Sequence, residues 1–255
     1  MRVAIDFDGT LTDVEQEAGP YLLRFRELAA QDLNIYWKDL AHDLMLAKRL
    51  VLQDPTKGWT HNGYVVAPAT ADPYVFNTAI FTEFLAEMPQ EKMQSLLFSW
   101  HTESYKSAAT AFRTGAREFL EKATKEHDVT VVTNSKTDAV LQKLALLGFP
   151  NIPIEGMARK YVIDPSWDKV PFQQELPGFP RPVLLRRRHY GEILEKLKPD
   201  VVVGDIYELD LALPAHLGTR CVQLLTKGTP QYERAAHTPH VQVADNLENV
   251  LKKLR

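Results

Sequence analysis

Five side chains of this sequence have the types and spacing to act together: Asp6, Asp8, Thr133, Asp205 and Asp210. Asp6 and Asp8 stand one residue apart, directly after the apolar run Val3-Ala4-Ile5 and before Gly9-Thr10. Two carboxylates this close repel by roughly 4 kcal/mol at an effective dielectric near 20, so a positive charge belongs between them. A hard divalent cation with oxygen ligands answers that need. An Asp- and Gly-rich surface turn has the same letters, and this segment alone does not separate the two readings. Gly204-Asp205, with Asp210 five residues on, again follows an apolar β-branched run, at 201–203. Between them Val129-Thr130-Val131-Val132 ends in Thr133-Asn134-Ser135. One such ending is common; three in one chain make a site.

The elements that must position these groups follow from the runs themselves. Each is short and apolar throughout, which suits a strand buried on both faces of a parallel sheet. Open α/β sheets place ligands at the carboxyl ends of their strands, where all five residues would then stand.

At this point the chain resembles the haloacid dehalogenase superfamily of phosphatases and related phosphoryl-transfer enzymes. Asp6-Phe7-Asp8-Gly9-Thr10 matches its first motif, Thr133 its second, and Gly204-Asp205 through Asp210 its fourth. Thr114-Gly115-Ala116-Arg117-Glu118-Phe119-Leu120 is similar to the helix start leading into the second motif, and 241–254 to the last strand and helix. The resemblance implies an α/β fold: a Rossmann-like parallel-sheet core over 1–13 and 113–255, with a mostly helical cap inserted at 14–112. The third motif departs from the pattern. The family usually places a Lys before the helix leading to the Gly-Asp strand; here that helix is expected at 190–197, preceded by Arg186-Arg187-Arg188. Arg187 is the best match by position and Arg186 the next, while Lys160 keeps the usual residue type. A guanidinium binds phosphate oxygens in bidentate fashion, although a triple Arg is also an ordinary solvated helix entrance.

The chemistry implied is phosphoryl transfer. Asp6 and Asp205, with the backbone carbonyl of Asp8, would hold Mg²⁺, which neutralises the doubly charged ester. Asp6 would attack phosphorus to form an aspartyl-phosphate, and Asp8 would protonate the leaving alkoxide and then activate water. Thr133, the backbone N–H groups around Asp8 and Asn134, and Arg187 would hold the phosphoryl oxygens. Asp210 would orient metal waters or the basic group, or serve a structural salt bridge. Asp8 distinguishes phosphoryl transfer from dehalogenation, since a halide needs no proton. Thr10 resembles the phosphatase pattern rather than the sugar phosphomutases, which more often show Val there. The expectation is a Mg²⁺-dependent phosphatase of a small phosphorylated metabolite. A phosphotransferase or phosphomutase of the same superfamily, or a catalytically weak ligand-binding member, is the alternative.

Composition fits this. The 255 residues suit one large or two modest domains, and a net charge of −3 offers no basic surface for nucleic acid. The one cysteine, Cys221, reads as a packed core residue, with no disulfide possible within the chain. The N-terminus is already the first motif's strand, so no signal peptide is expected. No apolar run spans a bilayer, which makes the cytoplasm the expected compartment.

About a hundred residues separate the first motif from Thr114, too many for a loop. Helical periodicity runs over 21–33, 37–52, 75–88 and 91–105. Closure of such a cap excludes water and its inner wall selects the leaving group, and its size implies small-molecule substrates, since a protein phosphosite would not fit beneath a closed lid. The polar-aromatic stretch 57–64 either contacts substrate through Trp59, His61 or Tyr64, or is an inter-helical loop. Lys48-Arg49 either meets a second anionic group or is solvated. A second insertion, 156–188, is expected to form a hairpin-like flap from 161–163 and 183–185.

Overall fold

The computed structural model describes residues 1–234 and 238–255. The first strand, β1 (Arg2–Ile5), is followed by the helices α1 (Val14–Leu33) and α2 (Trp37–Gln53) and a hairpin, β2 (Trp59–His61) and β3 (Tyr64–Ala67). Then come α3 (Pro73–Phe84), α4 (Gln90–Tyr105), α5 (Ala116–Glu126), β4 (Asp128–Val132), α6 (Thr137–Leu147) and β5 (Ile154–Glu155). A second hairpin, β6 (Gln173–Gln174) and β7 (Val183–Leu184), precedes α7 (Arg188–Leu197) and β8 (Val201–Gly204). The chain closes with α8 (Ala212–His216), β9 (Arg220–Leu224), β10 (Val241–Ala244) and α9 (Leu247–Leu254).

Six strands form one parallel sheet in the order β10-β9-β8-β1-β4-β5. β1 is central because its side chains are apolar on both faces. Val3 and Ile5 join the cluster beneath α5, α6 and α9, while Ala4 joins the opposite cluster with Val132, Val202 and the buried side of α7. The register aligns Ile5 with Val131 on one side and Val203 on the other. Asp6, Thr133 and Asp205 therefore leave the sheet side by side.

The helices after β1 pack around a third cluster, drawn wholly from residues 21–108, with Phe25, Phe81 and Trp100 at its centre. The chain departs and returns through neighbouring segments: Thr12 bridges Phe112, and Asp13 N–H donates to the Ala111 carbonyl at 3.1 Å. All four expected helices are present, though α3 closes at Phe84 rather than 88. α1 begins at Val14 rather than 21, capped by the Asp13 carboxylate on the Gln16 N–H, and runs through Pro20 at its own surface. There the missing N–H forfeits one hydrogen bond without breaking the helix.

Both short insertions differ from the sequence expectation. Residues 57–64 hold β2 and the start of β3, turning at Asn62 (φ 49°) and Gly63 (φ 81°), the positive-φ pair of a tight hairpin. In the second insertion Gln173–Gln174 pairs with Val183–Leu184, and 161–163 forms no strand. Its apolar side chains face the first hairpin instead: Tyr161 stacks on Trp59 with ring centroids 5.6 Å apart, and Ile163 packs beside Val66. No helix among the described residues is long and apolar enough to cross a membrane.

Ile5 is fully buried between its two neighbouring strands. Ile5→Ala is expected to destabilise the fold by about 2–5 kcal/mol, read from the midpoint of urea unfolding.

Candidate active site

β1, β4 and β8 end in register, and the groups that follow them meet. One oxygen from each of Asp6, Asp205 and Asp210 lies within 4.8 Å of the others, and all three residues are buried. Lys160, itself buried, stands among them: its Nζ donates to Asp6 Oδ1 at 2.7 Å and Asp210 Oδ1 at 2.8 Å. The other Asp210 oxygen accepts the Ile206 N–H at 3.0 Å, so both of its oxygens are engaged by protein. The Thr10 hydroxyl lies 3.1 Å from Asp6 Oδ2 and 3.3 Å from Asp205 Oδ1, and its single proton serves one at a time. Gly9, at φ 85°, packs directly on Asp205: a Cβ there would lie 2.3 Å from Oδ2. The glycine of the Asp-x-Asp-Gly-Thr sequence thus makes room for the opposing carboxylate.

Asp8 turns the other way. Its Oδ2 accepts hydrogen bonds from Ser135 Oγ at 2.7 Å and Thr133 Oγ1 at 3.1 Å. Lys143 Nζ is 4.0 Å from its Oδ1 and pairs more closely with Glu17, at 2.7 Å. Asn134 holds the site indirectly, its Oδ1 accepting the backbone N–H of Lys160 at 2.8 Å.

The charges decide what the cluster can hold. Three carboxylates face one ammonium, an excess of two negative charges in a desolvated space. Burial first, then Asp210, pushes the Asp6 carboxyl up from 3.8 to about 7, against the pull of Lys160. Burial, Asp6 and Asp210 likewise hold Asp205 well above the usual carboxylate range. For Lys160 burial works against the charge, but Asp210 and Asp6 outweigh it and raise the pKa. A divalent cation at Asp6 and Asp205 would balance the excess, and these oxygen donors suit a hard ion.

A cavity of about 460 Å³ opens over the carboxylates. Asp6, Asp8, Asn134, Ser135 and Lys143 line its floor, and Trp59, Tyr74, His101 and Tyr105 line the helical side. Of the three aromatic residues singled out in the first hairpin, only Trp59 lines it. His61 packs against Tyr161 and Tyr64 against Phe172. Lys48 lies over the Phe76 ring on another part of the surface. Cys221 is buried in the core, where burial pushes its thiol pKa up.

Asp6, Asp8, Thr133, Asn134 and Asp205 are brought together; Arg187 is not. Its guanidinium is fully buried behind the site and donates to the backbone carbonyls of Lys160 and Val66. Arg186 reaches the Val170 and Pro165 carbonyls on the far side of the insertion. The basic group beside Asp6 is Lys160. Residues 161–187 separate it from α7, and the segment next to the helix carries arginine instead. Its residue type was the available signal. Ser135, Lys143 and Thr10 had weaker signals in the sequence, since Ser, Thr and Lys are frequent surface residues.

No protein-family model matches the sequence, and no curated protein matches it. Solved structures do. A haloacid dehalogenase-like family hydrolase from Streptococcus pneumoniae superposes with a TM-score of 0.56 at 13% identity, covering 100% of this chain and 98% of the other. The candidate HAD hydrolase YfnB of Bacillus subtilis, solved bound to magnesium, gives 0.54 at 16% identity over 99% and 97%. A candidate β-phosphoglucomutase from Thermotoga maritima gives 0.52 at 16% over 100% and 99%. The chain has the haloacid dehalogenase fold. Hydrolase and mutase candidates share it, so the HAD fold leaves the reaction to the site residues.

Two outcomes follow from the electrostatics. Between its ordinary 3.8 and about 7, Asp6 in the folded chain holds a proton that the unfolded chain has lost. Without a cation this group's contribution to stability therefore falls as pH rises through that window, and a cation that binds the ionised form restores it. Mg²⁺ at tenfold its pH 8 Kd should stabilise the fold by about 1.4 kcal/mol near pH 8, raising Tm by roughly 3–6 °C, and the same concentration by far less near pH 5, read by calorimetry. Lys160→Met leaves two buried carboxylates unpaired. It should destabilise the protein by about 3–5 kcal/mol near pH 8, and by less near pH 5 where the acids take up protons, read by urea unfolding.

Proposed function

We propose that this protein is a phosphatase that uses Mg²⁺ and hydrolyses a small phosphorylated metabolite through an aspartyl-phosphate on Asp6. In this reading residues 1–13 and 113–255 are the catalytic core and 14–112 the cap. The observation that carries it is the pairing of two different aspartates at one cavity mouth. Asp6 is bound to Lys160 at 2.7 Å, and Asp8 is held by the Ser135 and Thr133 hydroxyls. A reaction needing only a nucleophile has no use for the second acid.

Mg²⁺ would be held by Asp6 and Asp205 with the Asp8 backbone carbonyl, and would supply charge neutralisation for the incoming phosphate. Lys160 keeps one Asp6 oxygen fixed and leaves the carboxylate aimed into the cavity as the nucleophile. Asp6 attacks phosphorus, the ester oxygen departs, and Asp8 gives that oxygen its proton. Asp8 then takes a proton from the water that cleaves the acyl-phosphate, which returns both residues to their starting states. Thr133, Ser135, the Asn134 backbone and Lys160 would donate to the phosphoryl oxygens. Lys160 here replaces the Arg187 expected from the sequence. The aromatic helical side of the cavity encloses the leaving group, within a volume suited to a small molecule.

Phosphate release from an aryl phosphate, with Mg²⁺ and with EDTA, tests the reading. Wild type should turn over only with metal. Asp6→Asn should lose at least about 10³-fold in kcat, and Asp8→Asn should lose more on alkyl than on aryl esters, whose leaving group needs less protonation. Metal-dependent turnover surviving in Asp6→Asn would exclude this mechanism.

A further inference from the structure

Arg187 is an unusual residue to bury completely. Among the described residues it has no ion-pair partner, and both Nη groups are spent on backbone carbonyls: Lys160 on one side and Val66, at 3.0 Å, on the other. Desolvation lowers its pKa only to about 10, so it stays charged. The buried carboxylates of Glu208 and Asp210 attract it without touching it, so its hydrogen bonds are made to the backbone alone. These bonds join two segments far apart in sequence: the loop that presents Lys160 to Asp6, and a hairpin inserted among the cap helices.

A second arginine repeats the arrangement. Arg181 Nη1 donates to the Val65 carbonyl at 3.3 Å, and Nη2 pairs with the buried Glu208 at 2.8 Å, in the turn between Asp205 and Asp210. Consecutive carbonyls of β3 are therefore held by two arginines of one core insertion. Val66 is the extra residue at the hairpin's register shift, where Trp59 pairs with Ala67 and Thr60 with Val65. The same hairpin stacks Trp59 on Tyr161 and sets Tyr64 against Phe172, both rings belonging to the core insertion. Just beyond it, a Cβ on Gly228 of the core would lie 2.2 Å from the Thr70 carbonyl.

We propose that Arg181 and Arg187 are positioning residues that clamp the β2–β3 hairpin to the core, holding Trp59 on the cavity wall and Lys160 against Asp6. Arg181 acts on the leaving-group side, through the hairpin. Arg187 acts on both sides, since its fork spans the hairpin and the Lys160 loop. The consequences for turnover rest on the phosphatase reading, whereas the clamp itself can be measured without any reaction.

Hydrogen–deuterium exchange tests the clamp directly. Arg187→Met and Arg181→Gln should each speed exchange at residues 59–67 by about tenfold or more while β4 and β8 keep their wild-type rates. On an aryl phosphate, Arg181→Gln should raise KM more than it lowers kcat, and Arg187→Met should lower kcat by about tenfold or more. Arg187→Lys keeps the charge but cannot span both carbonyls, and should rescue neither. Unchanged exchange at 59–67, or faster exchange throughout the sheet, overturns the clamp. If Arg187→Met does not fold, Arg181→Gln carries the exchange test alone. A wild type silent on phosphate esters with this exchange pattern would keep the clamp and remove the phosphatase reading.

Discussion

One buried ammonium among three buried carboxylates is the interaction on which this structure depends. The parallel register of β1 and β8 brings Asp6 close to Asp205, and the turn after β8 adds Asp210. Charges so placed repel one another strongly once water is gone, and Lys160 offsets only part of that. The turn after β8 keeps Asp210 in place through the Ile206 N–H, and the Tyr190 hydroxyl donates to the Asp210 carbonyl at 2.6 Å. Even Gly204 belongs to this arrangement: a Cβ there would lie 2.4 Å from that of Asp210. The residual negative charge is what makes the site receptive to a cation.

The same sheet edge separates two aspartates that are neighbours in sequence. Asp6 points into the ion cluster, where burial and like charge hold its pKa up. Asp8 points toward the second strand's Thr133 and Ser135, into the cavity beneath the helices. Two carboxyl groups of identical chemistry thus acquire different surroundings, the usual way in which one protein supplies both a nucleophile and an acid. Glu17, near the start of α1, pairs with the half-buried Lys143 of α6 and accepts the Ala111 N–H at 3.2 Å, so an ion pair ties the cap entry to the core close to Asp8.

Contacts between the hairpin of residues 59–67 and the insertion of 156–188 add a connection beyond the two chain crossings at Thr12 and Phe112. The hairpin is joined to the core by backbone carbonyls, by stacked rings and by a hydrophobic cluster in which Val66 and Ala67 pack with Ile163, Leu184 and Leu209. That cluster shares no buried residue with the two that cover the sheet, so the cavity wall is fixed apart from the sheet core.

Much of this was legible in the sequence. The apolar runs at 3–5, 129–132 and 201–203 had only one sensible home, a doubly covered parallel sheet, and the residues ending them were therefore neighbours. The helical periods from 37 onward were equally plain, as were Asp6, Asp8, Thr133 and Asp205 as a group. The hairpin turn was visible too, in Asn62-Gly63, although the aromatic residues around it suggested a loop. The third basic residue was not legible from chain distance. Arg187 and Lys160 both stand before α7, and only the path of residues 161–187 shows which cation faces the carboxylates and which faces two carbonyls. Local sequence determines strands, caps and turns because those depend on neighbours along the chain. Which ammonium enters a desolvated cluster depends on contacts across the chain, and these exist only once the sheet and both insertions have packed.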